Sequence, residues 1–147
     1  MLHEKIPADD ASIVSDLVDN QIIEDQIAQF PGLDVKDSDV AAEMNAISDM
    51  HGLQPDTVRN AIRRRLRTSE FIDLRFRQFL SASDEDLRQY YDNTFVPEAR
   101  RRGLNPIPPL EEIAGDIRNN IIQEKVTHDV DNWLVSTRRR TDIEIFK

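Results

Sequence analysis

The sequence predicts an all-α fold: an irregular domain of about five to six helices, with one long C-terminal helix packed across the others. Three observations predict it. Apolar residues recur at three- and four-residue steps over most of the chain, the period of a helix face. Only four Gly and a 6% aromatic content speak against the many turns of a barrel or sandwich. A stretch of some thirty residues near the C-terminus has no strong helix breaker. The length of 147 residues suits a single domain.

Residues 1–10 read as an irregular lead-in. From Ala11 to Gln29 the stripe Ile13, Val14, Leu17, Val18, Ile22, Ile23 and Ile27 marks the first helix, stopped by Phe30-Pro31-Gly32. Leu33-Asp34-Val35 is a short extended link. Asp37-Ser38 caps a second helix with core face Val40, Met44, Ile47 and Met50, and Gly52 fits its stop. Pro55 opens a third helix carrying Val58, Ala61, Ile62 and Leu66. Thr68-Ser69 offers a cap for a fourth. Its residues Phe71, Ile72, Leu74, Phe76, Phe79 and Leu80 surround the axis, the pattern of a central buried helix.

Ser83 with Asp86 three residues on starts a fifth helix bearing Leu87, Tyr90, Tyr91 and Phe95. Val96-Pro97 interrupts it, and a basic turn of helix follows, ending at Gly103. Asn105 to Pro109 is a stiff connector. The last helix runs from Pro109 to about Arg140, with the stripe Leu110, Ile113, Ala114, Ile117, Ile121, Val126, Val130, Trp133 and Leu134. In the tail, Asp142 to Phe146 alternates as a short terminal strand does and needs a partner edge. The resulting division is a helical core over 15–80, a connector with a short helix over 81–109, and a closing helix and tail over 110–146, all within one domain, 1–147.

Composition excludes several functions. With no Cys there is no disulfide framework, thiolate metal site or thiol nucleophile. No run approaches the roughly 20 apolar residues of a membrane span, so no membrane insertion is expected. The net charge of −9 is uneven: residues 1–58 hold 13 acids against Lys5 and Lys36, a balance of −11, and the remainder sums to +2. Such asymmetry suits pairing between the two segments.

Chemistry-bearing residues have simpler explanations. Glu124, His128 and Asp131 fall on one helix face, but that set lacks the fourth ligand of a structural metal site. Asp9-Asp10, Glu24-Asp25 and Glu111-Glu112 read as helix-dipole and solubility features. No phosphate loop or nucleophile elbow is present. The chain is therefore read as no enzyme, with no cofactor and no metal. The arginine runs Arg63-Arg64-Arg65 with Arg67, Arg100 to Arg102, and Arg138 to Arg140 would suit nucleic acid. The acidic net charge and the absence of interleaved aromatics oppose this, so the runs are expected to pair internally, near helix C-termini, and no nucleic-acid partner is expected. The candidate peptide-binding residues are Phe71, Phe76, Phe79, Tyr90, Tyr91, Trp133, Met44 and Met50, because aromatics and Met adapt to varied apolar segments.

Leu17, Ile22 and Ile23, then Gly32-Leu33-Asp34-Val35, Asp37 to Val40, and Gly52-Leu53 stand in an order that resembles the N-terminal domain of SurA-type periplasmic chaperones. Ile117, Glu124, Lys125, Trp133, Leu134, Asp142, Ile143 and Ile145 are similar to that family's closing helix and strand. The likeness covers about residues 15–80 and 110–146. Three departures stand out. Residues 81–109 are too few for the parvulin-type prolyl isomerase domain usual in the family, the opening strand is missing, and Arg63 to Ser69 lacks the Gly often found at that junction. The resemblance implies an ATP-independent holdase without isomerase activity, binding unfolded polypeptides or outer-membrane protein precursors. It implies the periplasm, with a signal peptide upstream of, or already removed from, Met1. The alternative is a structural module in which the long helix is exchanged in a homodimer.

Overall fold

A computed structural model describes residues 10–47 and 52–141, with side chains from residue 12 onward. It is all-helical, and no strand occurs among the described residues. The elements are α1 (Asp10–Ala28), α2 (Asp37–Ala46), α3 (Pro55–Arg75), a 3₁₀ turn (Arg77–Phe79), α4 (Asp84–Tyr90), a π turn (Tyr91–Phe95), α5 (Val96–Arg101) and α6 (Leu110–Arg138). The tail strand expected over 142–146, and Met50, lie outside the described residues.

The chain groups into two compact units, one of residues 1–73 with 134–147 and one of residues 74–133. At 29 residues, α6 is about 43 Å long, and it contributes residues to both units.

In the first unit the buried side chains are Ile22, Ile23, Ile27, Leu33, Val40, Ile62, Phe71 and Leu134. The Phe30 ring meets Phe71 edge-on, with centroids 5.5 Å apart, a favoured aromatic geometry. Contrary to expectation, Thr68-Ser69 caps nothing, and α3 runs on through it to Arg75. The apolar stripe changes phase there. Phe71, nine residues after Ile62, lies about 180° round the same helix, so one continuous helix presents Ile62 on one side and Phe71 on the other. The residues 71–80 that read as one helix apolar all round do not share one helix: α3 ends at Arg75, and Phe79 lies in the 3₁₀ turn. Leu74 and Phe79 are exposed rather than central.

Arginines from the later, basic part of the sequence reach acids of its early part within this unit. Arg63 pairs with Asp37 at 2.6 Å, Arg64 with Glu24 at 3.5 Å, and Arg65 with Glu43. Arg138 Nε donates to Asp19 Oδ1 at 2.7 Å, and the same guanidinium donates to the Ser15 carbonyl and hydroxyl. The run at Arg63 sits in the middle of α3, not at a helix end, so it acts through these pairs and not through the helix dipole.

The second unit is built on Leu87, Ile117 and Ile121, with Tyr90, Tyr91, Leu110, Ile113 and Ala114 against them. Ser83 caps α4 with a full capping box. Its hydroxyl accepts from the Asp86 N–H at 3.1 Å, and its own N–H donates to the Asp86 carboxylate at 3.0 Å. Lys125 on α6 donates to the same carboxylate at 3.2 Å and to the Ser81 carbonyl at 2.9 Å. Hydrogen bonds from the Ser83 backbone and from Lys125 hold the Asp86 carboxyl below the usual carboxylate range.

Pro97 does not interrupt the helical path. Proline has no N–H and crowds the carbonyl four residues back. The turn before it widens, so that the Val96 N–H reaches Tyr91 O, five residues back, and the chain stays helical through α5. Gly103, at φ +73°, ends α5. Its N–H bonds to Arg100 O and that of Leu104 to Ala99 O, the paired closure that a left-handed residue permits. The Tyr91 hydroxyl donates to Pro108 O at 2.9 Å and ties the connector down.

Candidate functional site

The described candidate residues are divided between the two units. Phe71, at 1% exposure, belongs to the core of the first unit and has no surface to offer a peptide. Met44 is half-buried in that unit. The other described candidates fall in the second unit. Tyr90 and Tyr91 pack against its core, and Tyr91 also stacks on Phe95 at 5.7 Å. Phe76 and Trp133 meet at 5.8 Å, with the Arg75 guanidinium 5.6 and 5.2 Å from their ring centres, a cation–π arrangement. Phe79 alone among them stands open, at 77% exposure. The 3₁₀ turn that follows α3 carries it out of the helical stripe.

The concave surface lies instead around α2 in the first unit. Placed beside α3, α2 leaves a groove on each flank. One groove, of about 670 Å³, is lined by Asp37, Val40 and Met44 of α2 and by Asp56, Arg59 and Arg63 of α3. The other, of about 380 Å³, is largely apolar, with Ala46 and Ile47 facing Leu53, Val58, Ala61 and Ile62, and with Glu43 and Arg65 at its rim. Leu53 is 59% exposed. Of these residues the binding expectation had named only Met44. Val58, Ala61 and Ile62 carry the signature of a core stripe, and nothing in the spacing shows that so short a helix would bury Ile62 yet leave Val58 half-buried and Ala61 exposed.

Further apolar surface lies on α1, where Ile13, Val14 and Leu17 are exposed. Their spacing puts Ile13 and Leu17 on one face with Val14 alongside. Contiguous exposed apolar side chains are the physical mark of a surface that meets another molecule.

Among the described residues no three His, Asp or Glu side chains converge as metal ligands. His128 Nε2 lies 2.9 Å from Asn132 Nδ2, one turn along α6. No described helix is long and apolar enough to cross a membrane. These features define an all-helical protein with an apolar groove. Comparison with family models, curated proteins and solved structures finds no match, so the likeness to SurA-type chaperones rests on the order of segments in the sequence alone.

Proposed function

We propose that this chain is an ATP-independent holdase that binds apolar segments of unfolded polypeptides, outer-membrane protein precursors among them, without isomerase activity. The observation that carries this reading is the apolar groove between α2 and α3, with Ile47 and Leu53 open to solvent at its mouth. A pocket of this size accepts one or two aliphatic or aromatic side chains. The Glu43–Arg65 pair at its rim leaves the groove without a dominant charge, which suits weakly selective, reversible capture. Exposed Phe79 offers a second contact on the other unit. The periplasm is the compartment proposed with this function, on the strength of the resemblance.

Light scattering with a thermally unfolding client tests the function. Suppression of aggregation that grows with the molar ratio of this protein is expected, and no suppression at several-fold molar excess overturns it. A dimerisation module is the second reading, favoured by the Ile13, Val14 and Leu17 patch on α1. Sedimentation giving a stable dimer, with no effect on the client, would select it.

A further inference from the structure

α2 is weakly anchored for a helix that covers a groove. It has ten residues, and Val40 is the only one buried. Isolated helices of this length are marginal in water, and stability normally comes from a packed face. Asp37 and Ser38, which the sequence offers as the cap, lie inside the helix, and Lys36 at the N-cap gives no side-chain hydrogen bond, so a usual terminal contribution is missing. The grooves on both flanks mean that neither side is sealed. Beside buried Val40, half-buried Met44 and the first-turn acids Asp37 and Asp39, α2 is tied to α3 by the pairs Arg63–Asp37, near its first turn, and Arg65–Glu43, about two turns on. Both are solvent-accessible: side-chain exposure is 37% and 90% in the first pair, 65% and 45% in the second. Such pairs are strongly screened by salt. The extended link at Asp34 to Lys36 follows buried Leu33 and gives α2 a place to pivot.

We infer that α2 is a salt-released cover: raised ionic strength breaks its two arginine pairs and lets it lift from α3, baring the face that carries Val58 and Ile62. Opening turns a narrow groove into a broader apolar strip on a helix that stays folded. Local opening of this kind is expected where few apolar contacts and exposed pairs hold an element. The purpose of the cover rests on the holding function proposed above; its existence does not.

Native-state hydrogen exchange on the full chain reads the cover directly, with no client present, so its failure and the failure of the holding reading are separable. The α2 amides are compared with those of α3, residues 58–66, at about 0.05 M and about 1 M NaCl. The expected result is exchange in α2 that rises about fivefold relative to α3 at high salt, from the loss of two exposed pairs. The double variant Asp37→Asn/Glu43→Gln reaches that rate already at low salt and responds little to more. Equal protection of α2 and α3 in both salts overturns the inference, as does a double variant with the wild-type salt response. The wild-type titration decides the matter by itself should the variant fold poorly.

Discussion

Arg138 makes several charged and polar contacts in the first unit, and its removal gives a sharp test. One guanidinium serves Asp19, at 2.6 and 2.7 Å, and two oxygens of Ser15, at 2.7 and 2.9 Å. It thereby joins the end of α6 to α1. Hydrogen bonds to charged groups contribute about 1.5–3 kcal/mol where water is excluded. Here the side chains of Arg138 and Asp19 keep 32% and 26% exposure, so water takes up part of the lost bonding and the sum must be discounted. Arg138→Ala is expected to cost about 2 kcal/mol, a sizeable part of a typical total of ~5–15 kcal/mol. Arg138→Lys, which keeps the charge but not the fork, should recover less than half of it. Urea unfolding followed by helical circular dichroism measures the loss. A double cycle with Asp19→Asn should return a coupling of about 1 kcal/mol. A loss below about 0.5 kcal/mol for Arg138→Ala, within the range of ordinary surface changes, would refute the reasoning that this contact anchors the end of α6.

Phe71→Ala should cost about 3–5 kcal/mol, because it empties a site that is 1% exposed; a loss under about 1 kcal/mol in the same assay would mean that Phe71 is not core. Tyr91→Phe keeps the ring and removes the bond to Pro108 O. It should cost about 1 kcal/mol and raise exchange in the 104–109 connector, and unchanged exchange there would contradict the anchoring role. The Asp86 carboxyl is held below its ordinary value by Ser83 and Lys125, so its folded pKa lies under the unfolded one. Its contribution is full above the unfolded value and is lost as pH falls through the folded one. Asp86→Asn should therefore flatten the acid limb of the stability profile; an unchanged limb would contradict the assigned bonds.

The fold was legible where local chemistry dictates it. Ser83 and Asp86 announce a capping box, Pro55 and Pro109 mark helix starts, and Gly103 takes the left-handed turn that ends α5. These are short-range effects, decided within one turn of backbone. The misreadings came from longer range. Thr68-Ser69 looks like a cap because those residues do favour caps, but packing Ile62 and Phe71 on opposite sides of α3 outweighs that preference. Pro97 looks like a break, yet one π turn absorbs it. α2 closes at Ala46, ahead of the Gly52 stop that its periodicity suggests. The site was less legible still. Phe71 and Phe79 are the same residue type eight positions apart, and the sequence does not show that one ends in the core and the other in water. That difference depends on where α3 gives way to the 3₁₀ turn. The grooves flanking α2 arise from the mismatch between a ten-residue helix and the 21-residue α3 beside it, a property of the pair and not of either stripe.

Binding of a fluorescently labelled, permanently unfolded polypeptide, followed by anisotropy for wild type and Leu53→Asp, tests the holding function most directly. Leu53 is 59% exposed, so the variant should fold as wild type does. A carboxylate at the groove mouth should weaken binding by about tenfold or more, the equivalent of losing one buried aliphatic contact. Wild-type binding that falls by that factor in Leu53→Asp is the predicted result. No binding by wild type, or equal binding by both proteins, would contradict the account.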